Sequence, residues 1–552
     1  MKPDITTAFN KHSNRGGWTT FPFIIGSIFS LSVSSGGWLG NLIVYLITKY
    51  NVKSIDATQV NSVVLGCLSL FPIAGAIVSD SFYGSFPIIV FFTIVSLMGV
   101  TLMMLTSSLH SLRPPPCMNM STACKSPSKF QYGVLYMAIG LASIGIGGTR
   151  FTMATMGADQ FDDSNDSAIY FNWYFCAFYV ATAISLTATI YIEDNVSWTV
   201  GFGICVASNL VGLILFLSGK NFYQRIKPKG SPFTSIARVI IAAVKKRRVS
   251  SRNREYNYDI NGASTTIPSD SFRFLNHGAL KIEADVQKLK SWSLSSVQEV
   301  EDLKTLIRIM PLWSTGILLS ALIGMLSNFT ILQALTMDRH LFRTHFKIPA
   351  ASYLFFNTLA TSISLSILDR LIFPMWRHLT GRSLTPLQQI GVGHVLNVVA
   401  MVSSAFLEIQ RLHVARVHHL IGSRTGATTI VPFSALWLVG PLTILGISEA
   451  LHFPAQVSLY YQEFPTSLRN TSTAMISLLI ASGFYLSTAI TSLIRNNTGW
   501  LMDDINNGRL DIVYWVLAAI GAVNFGYFLI CAKTFQHKLD KHDHNLADVS
   551  SS

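Results

Sequence analysis

Arg150 sits where a charge is unexpected. The stretch GIGGTRFTMATMGADQFDD (145–163) opens as a glycine-rich continuation of an apolar run that starts near Tyr132, and no acid follows the guanidinium until Asp159. Glu449, in GISEALHFPAQ (446–456), is the other isolated charge, with His452 three residues beyond it; His394 stands in a separate apolar run. An ionisable group held in lipid-like surroundings costs roughly 2.5–3.5 kcal/mol on insertion scales, so such groups mark sites of function. The planar fork of an arginine suits a planar oxyanion. These residue types therefore predict an anion site. Arg150 is its ligand, Glu449 a competing internal partner from the other half of the chain, and His452 a helper that donates or titrates near neutrality. Two plainer readings stand beside this one: an Arg150–Glu449 ion pair that only locks the halves together, and a packed His452 bonded to a neighbouring carbonyl.

The elements that must position these residues are membrane spans. Of 552 residues, 50% are hydrophobic and 12% charged, and mean hydropathy is +0.42, outside the range of ordinary soluble domains. Apolar runs of about 17–25 residues recur about twelve times, centred near Ile28, Leu68, Val95, Ile144, Ala181, Leu210, Leu318, Ile363, Val398, Leu442, Ile480 and Ala519. The expected fold is all-α: a polytopic membrane protein with twelve transmembrane helices. The polar segment Met1–Gly17 lacks the apolar core of a cleaved leader, so the first span is read as an anchor. An even number of spans puts both termini on one side.

Much of the net charge of +13 lies in the loop from Gly219 to Val300, which carries Lys245, Lys246, Arg247 and Arg248. Its placement points to cytosolic topology and anionic headgroups, not nucleic acid. The expected organisation is a cytosolic N-terminus (1–20), an N-terminal six-helix bundle (21–218), a basic cytosolic linker (219–300), a C-terminal six-helix bundle (301–533) and a cytosolic tail (534–552). Within the linker, Glu283–Lys290 and Ser296–Arg308 have helical spacing. Cys117 and Cys124 share one outside loop with the sequon Asn119-Met120-Ser121, where one bridge and one glycan are possible. His413, His418 and His419 fall in an expected outside loop without a His-Glu-x-x-His pattern, so no metal, cofactor or enzyme activity is expected. The first span, TTFPFIIGSIFSLSVSSGGWLGNLIVY, holds no acid or base, only hydroxyls, Asn41 and the pair Gly36-Gly37, read as flexible.

Several motifs together resemble the plant nitrate/peptide transporter family (NPF), a branch of the proton-dependent oligopeptide transporters in the major facilitator superfamily. They are GIGGTRFTMATMGADQFD with FNWYF (171–175), GAIVSDSFYG (75–84), SFRFLNHGAL (271–280), VEDLKTLIRIMPLW (300–313), LDR (368–370) and EFPTSLR (463–469). The resemblance implies two six-helix bundles, alternating access and a central site. It places the family's fourth-span basic residue on Arg150, where lysine is usual, and its tenth-span glutamate on Glu449. Asp80, in GAIVSDSFYG, is taken with Glu449 and Arg150 as a coupling or gating residue.

Two departures matter. The family's Glu-x-x-Glu-Arg proton-coupling motif aligns with Ile28 to Ser32, so its three charges are absent, and the usual Gly-Arg after the second span is Gly84-Ser85. The histidine with which one member binds nitrate aligns near Ile323. GGWLGNLIVYL and ALHFPAQVSLYYQEFP are most similar to the nitrate excretion (NAXT) clade. The expected function is a plasma-membrane carrier exporting nitrate, or chloride, with weak or absent proton coupling; the alternative is a proton-coupled importer of peptides or plant metabolites. The expected partners are a small inorganic anion and the lipid bilayer.

Overall fold

A computed structural model describes residues 16–78, 84–115, 126–161, 163–224, 232–248, 256–258, 269, 271–281, 292, 294–341, 345–420, 430–463 and 471–551. Asp80, Cys117, Cys124 and the segment Glu283–Lys290 lie outside the described residues. Twelve helices in the described residues are long and apolar enough to cross a membrane. Spans 1–6 are Phe21–Gly40, Ser54–Gly75, Ser85–Ser108, Lys129–Ala158, Ile169–Asn195 and Trp198–Asn221. Spans 7–12 are Val297–Thr336, Ala351–Thr380, Pro386–Val417, Ala435–Tyr460, Ala474–Asn497 and Leu510–Gln536. Every centre read from the hydropathy falls inside one of them.

Small residues set how closely the helices approach, as they do where lipid removes the hydrophobic drive between helices. A Cβ at Gly37 would lie 2.5 Å from Cys205 Sγ, and one at Gly36 would lie 2.6 Å from Ser185 Cβ. The Gly36-Gly37 pair is therefore no flexible joint. It lies within a continuous helix, as the contact by which span 1 seats against spans 5 and 6. Span 5 itself carries a π-helical turn over Ser185–Thr189, at this same contact.

The two groups of six spans meet along one half of their length. Span 2 packs on span 11. Its residues from Ser54 to Cys67 bond across the seam: Asn61 Nδ2 donates to Asn328 Oδ1 (2.9 Å), Asn328 Nδ2 to Ser62 Oγ (2.8 Å), and Gln59 Nε2 to Ser492 Oγ (2.8 Å). Cys67 Sγ and Tyr485 Oη lie 3.2 Å apart. A chain of alternating charges runs along its rim, from Lys53 to Asp503 (3.0 Å), Asp503 to Arg495 (2.9 Å) and Arg495 to Asp56. Spans 1, 3, 5, 7, 9 and 11 all run toward this end, so it is the face opposite the chain termini. Toward the terminal face, spans 4 and 10 share no extended contact.

The described part of the linker is not merely a loop. Pro232–Lys245 forms a helix whose Val239 and Ala243 bury against Leu275, Ala279, Val300 and Leu303. The expected helix leading into span 7 is present, capped by Ser296, whose Oγ accepts from Glu299 N while the Glu299 carboxylate accepts from Ser296 N. Lys304, near the start of span 7, is fully buried there, its Nζ donating to Ser269 O (2.8 Å) and Glu301 Oε1 (2.7 Å).

Candidate functional site

The glycines ahead of Arg150 place it. A Cβ at Gly145 would sit 2.3 Å from Ser96 N of span 3; at Gly147, 2.6 Å from Phe71 Cβ of span 2; at Gly148, 2.4 Å from the Phe92 ring. Span 4 is thus wedged against spans 2 and 3 on its glycine side, and Arg150 leaves on a different side. Arg150 keeps accessible surface even though it belongs to a transmembrane helix and is surrounded by protein. Its Cζ lies 3.9 Å from the centroid of the Phe178 ring on span 5, and Tyr174 Oη, on the same span, donates to the Arg150 carbonyl at 2.6 Å. A cation on an aromatic face is held by about 0.5–2 kcal/mol. Among the described residues no carboxylate pairs with Arg150, and no acceptor takes its side-chain donors.

Glu449 is half-buried on span 10. Both carboxylate oxygens lie 3.4 Å from Asn357 Nδ2 of span 8, long and weak contacts. Tyr179 of span 5 is within electrostatic reach of both Arg150 and Glu449. They do not touch. The expected ion pair is absent from this conformation because spans 4 and 10 are apart.

His452 requires a correction. It is fully buried, not cavity-facing. Its ring makes an edge contact with His394 at 5.2 Å, and a Cβ on Gly393 would lie 2.9 Å from His452 Cβ. His394 stacks at 4.9 Å on Phe528 of span 12. The two histidines fill the seam between spans 9, 10 and 12. A step of three residues turns a helix by about 300°, and the missing 60° or so carries the side chain from cavity wall to seam.

The positions aligned with the family's proton-coupling charges are dry. Ile28 and Leu31 are buried with Met153, Ala154 and Tyr174 in one apolar cluster, and Ser32 is 3% exposed.

A profile of the POT family matches residues 86–506. The chain belongs to the POT family. Within it, Protein NRT1/ PTR FAMILY 2.7 of Arabidopsis thaliana is 48% identical, over 99% of this chain and 98% of its own length. Protein NRT1/ PTR FAMILY 2.6 of the same plant is 46% identical, over 96% and 95%. These full-length likenesses make the chain a member of the nitrate/peptide transporter branch, a transporter and not an enzyme. Among solved structures, the in meso crystal structure of the POT family transporter PepTSo superposes with a TM-score of 0.70 at 16% identity, covering 94% of this chain and 99% of that one. That likeness carries the fold alone.

This POT protein buries further charges that the sequence reading passed over. Glu408 and Arg411 of span 9 are both 0% exposed and paired at 2.6 Å. Gln333 Nε2 donates to Glu408 (2.7 Å), Tyr514 Oη donates to Gln333 Oε1 (3.0 Å), and Arg411 Nη1 donates to Thr336 Oγ1 (3.1 Å) and Asn506 Oδ1 (2.5 Å). Spans 7, 9 and 12 are thereby tied together near the face opposite the termini. Glu193, at the same end of the other bundle, is 1% exposed and accepts from Asn41 Nδ2 at 3.0 Å. The helix of span 9 runs to Val417, so His413 lies on it and not in a loop. Among the described residues no group of His, Cys, Asp and Glu is arranged to hold a metal.

Proposed function

We propose that this POT-family chain is a plasma-membrane anion carrier that exports nitrate, with chloride the second cargo, by rocking its two bundles about Arg150. The observation that carries the reading is that Arg150 rests on Phe178 with its donors uncommitted, exposed within the bundle and free of any described carboxylate. A guanidinium in that condition is prepared for a small anion. On this reading the termini lie in the cytosol and the seam at the opposite face is the outward gate, closed while the carrier loads from the side on which export begins. Glu449, held by Asn357 in this conformation, takes over Arg150 when the empty carrier closes, and so resets the cycle without a bound ion.

Apolar packing at Ile28 and Leu31 supports a carrier without first-span proton coupling. Export of a monovalent anion from an inside-negative cell is driven by roughly 2.3 kcal/mol per 100 mV, so no proton cycle is needed. The test is counterflow in proteoliposomes at clamped voltage, with nitrate, chloride and a dipeptide as cargoes and the proton gradient varied. Nitrate exchange that is lost in a folded Arg150→Ala variant is the expected result. Undiminished nitrate exchange in that variant overturns the reading, and accumulation of a dipeptide driven by the proton gradient replaces it with a coupled importer.

A further inference from the structure

A second group of cations lies at the other end of the molecule. On the face opposite the termini, where the bundles meet, both contribute to a cavity of about 310 Å³, a volume at the lower end for small-molecule sites. Lys49 enters from Leu42–Tyr50, the helix that follows span 1. Asp194 and Asn195 come from the end of span 5, Trp198 from the start of span 6, and Arg339 and Lys347 from the connection between spans 7 and 8. Three cations line the cavity against one carboxylate, with Asp338 near enough to act on Lys347, and the lining carboxylate, Asp194, already accepts from Asn41 Nδ2 at 3.1 Å.

The cations are short of partners. Among the described residues Lys49, Arg339 and Lys347 form no ion pair. Arg339 donates Nη1 to Ile348 O at 3.4 Å, while its Nε is buried with no acceptor. Burial first, and then the neighbouring Arg339, push the Lys347 ammonium below the usual lysine range, against the opposing pull of Asp194 and Asp338. Burial depresses Arg339 likewise. An anion between these side chains relieves both the repulsion and the orphaned donor.

We propose that this cavity binds a small oxyanion, at a site separate from Arg150, and that occupancy bridges Lys49 of one bundle to Arg339 and Lys347 of the other. A ligand that contacts both bundles only while this face is closed stabilises the closed conformation. Such a site lets the anion concentration on that side slow the carrier. Binding does not depend on which cargo the Arg150 cavity moves; only the reading of the brake as product inhibition rests on nitrate export.

The experiment uses the purified full-length protein, with nitrate and, separately, sulfate titrated against gluconate at constant ionic strength, and melting temperature as the readout. Arg150→Ala is expected to keep a saturable rise in melting temperature. A paired Arg339→Gln and Lys347→Gln variant is expected to need at least tenfold more anion for the same rise. Lys49→Gln, a milder change at a half-buried position, is expected to shift in the same direction and serves if the paired variant does not fold. A rise lost in Arg150→Ala, or kept unchanged in the cavity variants, overturns the site. In sealed vesicles, nitrate added on the face opposite the termini is expected to slow initial tracer flux in the native protein and not in Lys49→Gln; an unaffected native rate overturns the braking role. Failure of the export reading shows separately, as nitrate exchange surviving in Arg150→Ala.

Discussion

At the scale of single residues, Arg150 depends on its neighbour Phe178 more than on any charge. The Arg150 Cζ lies 3.9 Å from the centre of that ring, and on the proposed function this contact steadies the guanidinium before cargo arrives. Phe178→Leu keeps bulk and removes the π face. Loss of about 0.5–2 kcal/mol of cation–π attraction is expected to raise the apparent KM for nitrate by roughly 2- to 30-fold, since about 1.4 kcal/mol is a factor of ten. Tracer-uptake kinetics decide it; an unchanged KM would show that the ring is only a wall. Arg150 was legible in the sequence because a lone charge in an apolar run has few explanations. Glu408 and Arg411 were not, because LEIQRLHVARVHH is polar enough to read as a loop. Their burial is created by Gln333, Tyr514 and Asn506, contributed by other elements.

Among the elements, span 4 shows how a sequence feature becomes a position. Its apolar run predicted a helix in lipid or in a packed bundle, and the glycines within it decide which sides meet spans 2 and 3. The twelve spans were legible because a membrane demands uninterrupted apolar length. The facing of each was not, because these helices are apolar nearly all round and periodicity gives little direction. Gly145 and Gly140 make a controlled comparison on this helix. A Cβ at Gly145 meets the backbone of Ser96 at 2.3–2.5 Å, whereas one at Gly140 meets nothing within 4 Å. Gly145→Ala therefore forces two backbones apart, an overpacking that costs typically 1–3 kcal/mol. Gly140→Ala is expected to be neutral or slightly stabilising, because alanine favours the helix. Thermal unfolding in detergent separates them: a clear fall in melting temperature for the first and none for the second. Equal behaviour would mean that spans 3 and 4 are not locked by this contact.

For the whole molecule, the seam along spans 2, 7 and 11 joins the two groups of spans toward the face opposite the termini, while spans 4 and 10 share no extended contact among the described residues. Its polar bonds are individually modest. The rim chain Lys53–Asp503–Arg495–Asp56 is partly exposed, so each pair contributes about 0–1 kcal/mol. Asn328 is 4% exposed and joins Asn61 and Ser62, so its truncation leaves buried groups unsatisfied and costs about 1–3 kcal/mol. On the proposed rocking cycle all of these bonds break once per turn, which favours a seam of many weak contacts over one strong pair. Combining Asp56→Asn with Asn328→Ala weakens the closed conformation relative to the one open at this face. A bias of about 1.4–3 kcal/mol corresponds to a roughly 10- to 150-fold change in the ratio of the two. In a Cys117→Ser, Cys124→Ser background, which removes the loop thiols expected on that face, Cys67, at the inner end of the seam beside Tyr485, reports it through modification by a membrane-impermeant maleimide added only at the face opposite the termini. The double variant is expected to react at least tenfold faster than the native chain, and bound anion at the Lys49–Arg339–Lys347 cavity is expected to slow that reaction in the native chain. Equal rates in variant and native protein would mean that the barrier lies elsewhere, in the apolar packing of span 2 on span 11 and not in its polar bonds.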